Sequence, residues 1–160
     1  MTADLFSVAL GGTIGIVGAA GVRYWEWHSQ KRALRAAFRA EIQTILHVTE
    51  LRDTERLFLN MLEAWRAGRD ERVELWGMDE PRHDPVFAAN TDKLGLLGRD
   101  VSLKLAQFYS LLYAVRIDIA AVSNGKWWQF PPTRRAVLLE SSFTLWNQAK
   151  TTAHYLLETL

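Results

Sequence analysis

The 160-residue chain contains no cysteine. This excludes a disulfide framework, a thiolate nucleophile, a Cys-ligated zinc and an iron–sulfur cluster. Proline is scarce, at four residues, and strand-like alternation is weak throughout. Net charge of one sign is also missing: 19 Lys and Arg face 18 Asp and Glu, so there is no basic footprint for nucleic acid. The four histidines, His28, His47, His83 and His154, lie without a two-ligand spacing, and His47-x-x-Glu50 reverses the Glu-x-x-His order of di-iron bundles. No metal and no cofactor is expected. His83-Asp84 is not accompanied by a G-x-S-x-G elbow, and no P-loop is present. The chain does not read as an enzyme.

What the balanced total conceals is a run without charge. Leu5 to Val22 holds eighteen residues with no charged or amide side chain. As a helix it spans about 27 Å, against the roughly 30 Å hydrocarbon core of a bilayer. Five of its residues are glycine, a poor composition for a soluble helix but one that membrane helices accept. Tyr24, Trp25 and Trp27 follow with rings suited to a headgroup interface. The segment Met1-Thr2-Ala3-Asp4 carries no basic residue, which argues against a cleaved signal peptide. Arg23, Lys31, Arg32, Arg35 and Arg39 come after the run and no Lys or Arg before it. The positive-inside rule therefore predicts an anchor over 1–23, an outside N-terminus, and residues 24–160 in the cytoplasm of a bacterial inner membrane. Gly11, Gly15 and either Gly18 or Ala19 share one helical face, a small-residue arrangement that lets two spans pack closely.

Beyond the anchor the period is helical. Leu34, Phe38, Ile42, Ile45, Leu46, Leu57, Phe58, Met61, Leu62 and Trp65 recur at three- and four-residue steps, with no proline or glycine from residue 24 until Gly68. This predicts a long helix over 24–66, with the polar stretch 49–55 as a point of bending. Residues 67–84 read as a loop. A short helix is expected over 85–94, with Asp84 as N-cap, Pro85 at its first position and Gly95 as the left-handed residue after its last turn. A helix over 99–123 stops at Asn124-Gly125, and a last one covers 132–160. The fold class is all-α: an N-terminal transmembrane helix continuing into an antiparallel cytoplasmic helical bundle. In such a bundle the turn Lys126–Phe130 returns towards the membrane. Trp127 and Trp128 then have two readings, as interface rings beside Trp25 and Trp27 with Lys126, Arg134 and Arg135 near anionic lipid, or as filling for the bundle's open end.

The stretch from Pro85 to Ile119 carries a succession Phe-x-x-Asn, Lys-Leu-Gly-Leu-Leu and Phe-Tyr, contributed by Phe87, Asn90, Lys93 to Leu97, Phe108 and Tyr109. Over these roughly 35 residues the chain resembles uncharacterised bacterial membrane-anchored helical proteins. The resemblance implies one N-terminal span and a cytoplasmic helical domain, and no reaction. The expected function is an interaction or scaffold module with the lipid bilayer and a protein partner, or a second copy, as its contacts. The alternative is a small effector in phage defence or lysis acting through oligomerisation of the glycine-rich span. A second alternative is an enzyme with a polar binding spot at Asn90 and Lys93, the two motif residues that packing explains least.

Overall fold

The structure is a computed structural model that describes residues 2–71 and 84–160, with side chains from residue 21 onward. Every regular element among these residues is helical: α1 (Thr2–Leu51), α2 (Thr54–Arg66), α3 (Pro85–Ala89), α4 (Arg99–Ser123) and α5 (Pro132–Thr159), with 3-10 helices at Thr91–Leu97 and Lys126–Gln129. The chain divides within α1 into two units, 1–36 and 37–160.

In unit 1–36 the backbone is one continuous helix from Thr2. Val22, Tyr24 and Trp25 are exposed, Trp25 at 72%. His28 sits between Tyr24 and Trp27, edge-on to both at 4.4 and 4.8 Å, and Lys31 lies over the Trp27 ring at 5.0 Å. The Tyr24–His28 and Trp27–Lys31 contacts follow from the i, i+4 spacing of a helix, and Trp27 and His28 are chain neighbours.

Unit 37–160 holds a core built from the apolar stripes. Met61, Leu62 and Trp65 of α2 meet Val122, Trp127, Ala136 and Leu139. Helix α4 lies along α5, and α2 also packs on α5. Polar pairs mark the registers: Arg66 with Glu140 and Glu55 with Lys150 between α2 and α5, Asp118 with Ser142 and Asp100 with Tyr155 between α4 and α5. Helix α4 is the described helix that is long and apolar enough to cross a membrane by length and composition. Its inner face, Val101, Leu105, Phe108, Tyr109, Leu112, Val115 and Val122, is buried in the bundle.

Two boundaries differ from expectation. The helix predicted over 24–66 is broken at Arg52–Asp53, where Asp53 takes the left-handed conformation at φ 48° and α2 starts afresh. Aspartate tolerates this region better than most residues, and Asp53 also holds Arg56 at 2.5 Å. The helix predicted over 85–94 stops at Ala89. Asn90 folds its amide back onto the Val86 carbonyl at 2.9 Å, and the chain continues as a 3-10 turn from Thr91. Gly95 lies inside that turn without positive φ; the left-handed role falls to Gly98 (φ 91°), which caps α4, and to Gly125 (φ 75°), which follows α4. A side chain at Gly98 or Gly125 is strained by that backbone.

Candidate functional site

Glu41 stands on α1 one turn after Phe38, and both are buried. Its carboxylate reaches a different element. Oε1 accepts the backbone N–H of Val86 at 2.7 Å and Oε2 that of Phe87 at 3.2 Å, while the Tyr109 hydroxyl donates a short bond to Oε2. The first N–H groups of a helix have no partner within it, and an acid there also meets the positive end of the helix dipole. Glu41 supplies from across the bundle what Asp84 was expected to supply from the adjacent position. Asp84 makes no capping bond and faces Arg116 at 3.6 Å instead. The carboxylate thereby ties α1, α3 and α4 together.

Aromatic rings enclose this knot. Phe87 stacks on Tyr109 with centroids 4.0 Å apart, and Phe38 meets both at 6.4 Å. Burial, reinforced by the bond to Glu41 and the charges of Glu41 and Asp84, pushes the Tyr109 phenol well above its ordinary value. A raised phenol pKa stabilises the fold fully below about pH 10 and loses that contribution as pH climbs towards the folded-state value. In an alkaline titration followed at 295 nm, the difference between the native chain and Tyr109→Phe is expected to be absent while the protein stays folded. It should appear as one tyrosinate only on unfolding. A Tyr109 that ionises with the exposed phenols contradicts the knot.

Beside Glu41 opens a cleft of about 960 Å³. One wall is α1 from Ala37 to Thr49, continued by Phe58 of α2; the other is α4 from Leu112 to Val122 with Leu139, Phe143 and Trp146 of α5. Thr44 and Thr49 donate their hydroxyls to the carbonyls one turn back, at 2.8 Å each, so they turn no spare donor to the cleft. Tyr113 and Ile117 stand at its margin with 64% and 52% of their surface exposed. The cleft can therefore accept apolar groups, and it is of a size that small ligands occupy.

The residues singled out by the sequence are dispersed. The expected span from Leu5 to Ala20, with Gly11, Gly15, Gly18 and Ala19, has its side chains outside the described residues, and His83 lies outside them altogether; Val22 is exposed. Tyr24, Trp25 and Trp27 form the exposed aromatic group of unit 1–36 together with Lys31, with Arg23 and Arg32 exposed and Arg35 half-buried. Arg39 spends its guanidinium on the Leu157 carbonyl near the end of α5. Asn90 and Lys93 pair with each other at 3.2 Å, Asn90 is also bound to Val86, and neither lines the cleft. His47 and His154 are exposed.

The reading of Trp127 as an interface ring is corrected: it is 7% exposed and packs in the core with Met61, Leu62 and Trp65. Trp128 is half-buried, edge-on to Trp65 at 5.7 Å. Arg135, expected near anionic lipid, is 3% exposed. Its guanidinium carbon lies 4.6 Å from the centre of the Trp128 ring; its Nε donates to the Phe130 carbonyl at 2.8 Å, and its Nη1 to Asp70 at 2.5 Å. A buried guanidinium is tolerable only when its charge and donors are met in this way. Glu41 escaped the sequence reading and Arg135 was assigned to lipid, since the partners of Glu41, and Asp70 and Trp65 beside Arg135, lie far along the chain. No protein-family model, no curated protein and no solved structure matches this chain.

Proposed function

We propose that this chain is a membrane-anchored helical interaction module, with residues 1–23 as a single span and the antiparallel bundle that follows on the cytoplasmic side of a bacterial inner membrane. The mechanism is tethering. The span confines the bundle to the membrane surface, where a ligand or partner enters the apolar cleft. The observation that carries the reading is that cleft, about 960 Å³ between α1, α2, α4 and α5, open and bordered by exposed Tyr113 and Ile117. Large contiguous exposed apolar surfaces mark interaction sites and ligand-binding grooves. Supporting the anchor are the uncharged run Leu5 to Val22 and the aromatic and basic residues behind it. The register pairs of α2, α4 and α5 support antiparallel packing.

Alkaline carbonate extraction of bacterial membranes tests the tether. The full chain is expected in the pellet and a chain lacking residues 1–23 in the supernatant. A full chain released by carbonate contradicts it. The effector reading is separated by overexpression: growth arrest with loss of membrane potential, abolished by Gly11→Leu or Gly15→Leu, favours a pore-forming or lytic span over a tether.

A further inference from the structure

We infer that the cleft binds a small amphipathic amine, with the protonated nitrogen held by the Asp118 carboxylate and the aliphatic body lying along the apolar walls. This rests on the reading of the cleft as the docking site and is independent of the anchor. The volume, about 960 Å³, is at the upper end of the range that small-molecule sites occupy.

Charge decides the class of ligand. Five charged residues line the cleft: Glu41, Arg52, Glu55, Arg116 and Asp118. Glu41 is held by two backbone amides and a phenol. Glu55 binds Lys150 at 2.7 Å, Arg116 faces Asp84 at 3.6 Å, and Arg52 is likewise partnered. Asp118 differs. Half-buried on α4, it accepts one bond from the Ser142 hydroxyl at 2.5 Å and has no cationic partner among the described residues. A half-buried carboxylate that accepts a single hydrogen bond keeps acceptor capacity for a charge-assisted bond from a cation. Ile119, Val115, Phe143 and Trp146 supply the apolar surroundings in which such a pair is strengthened. An anionic amphiphile would bring a second negative charge to the same wall, and a neutral one would leave Asp118 unpaired.

The test uses the full chain in lipid nanodiscs, with empty nanodiscs as blank, and titrates n-octylamine, n-octanol and octanoate calorimetrically. Octylamine is expected to bind about tenfold more tightly than octanol, the fold-change of one charge-assisted hydrogen bond, and octanoate more weakly than either. Asp118→Asn should bring octylamine to the level of octanol while leaving octanol unchanged. Thr44→Trp, at an exposed position that lines the cleft, should abolish binding of both without unfolding the bundle. No heat beyond the blank, equal affinity for octylamine and octanoate, or an Asp118→Asn variant that still prefers the amine each overturns the inference. Failure here with the chain still carbonate-resistant leaves the tether standing and removes only the amine site.

Discussion

Glu41→Ala is expected to lower the unfolding free energy by about 3 kcal/mol, read from urea denaturation of the chain in nanodiscs followed by far-UV circular dichroism. The substitution removes little apolar surface. Its cost arises because the Val86 and Phe87 amides and the Tyr109 hydroxyl lose their acceptor together, and each buried polar group left unmet costs roughly 1–3 kcal/mol. The open cleft beside Glu41 lets water recover part of this, which keeps the total at the lower end of the sum. Glu41→Gln retains an acceptor oxygen but turns an amide donor towards other donors, so an intermediate loss of about 2 kcal/mol is expected. Tyr109→Phe alone should cost about 1 kcal/mol, and the double variant less than the two single losses added, because the residues share one bond. Additive losses would mean that Glu41 and Tyr109 stabilise the fold separately.

Trp65→Ala should cost more, about 4 kcal/mol, the range in which large aromatic cores are emptied. Trp65 is wholly buried, and its indole Nε1 donates to the Glu71 carbonyl at 3.0 Å. It also lies edge-on to Trp128 and within 5.7 Å of the Arg135 guanidinium. Removing it opens a cavity and strips one face from a buried cation. Trp65→Phe keeps one aromatic ring and gives up the indole donor and part of the volume, so a smaller loss of about 1–2 kcal/mol is expected. Equal losses for the two variants would show that cavity and cation matter less than the hydrogen bond to Glu71.

Much of the bundle was legible because helices are periodic. The stripe residues Phe38, Ile42, Met61, Leu62 and Trp65 and the stop at Asn124-Gly125 are local patterns that the structure keeps, while Leu57 of the same stripe is exposed. The polar stretch 49–55 marked a bend, but only the backbone of Asp53 turns the bend into a break. The 3-10 turn after Ala89 was not legible, since it depends on the Asn90 side chain choosing the Val86 carbonyl over solvent. The burial of the two charges was illegible for a common reason. Glu41 finds its partners 45, 46 and 68 residues away, and Arg135 is sheltered by Trp65, 70 residues earlier. In sequence each is one charge among many. Trp127 read ambiguously because an aromatic ring suits a core and an interface equally; burial resolves it in favour of the core.

The absence of cysteine makes the chain a clean background for mapping topology by introduced thiols. Single-cysteine variants Thr2→Cys and Lys126→Cys, expressed in bacteria, are treated as spheroplasts with a membrane-impermeant maleimide, before and after permeabilisation. The proposed tether predicts labelling of residue 2 in intact spheroplasts and of residue 126 only after permeabilisation. Labelling of residue 126 in intact spheroplasts, or of residue 2 only after permeabilisation, would contradict it.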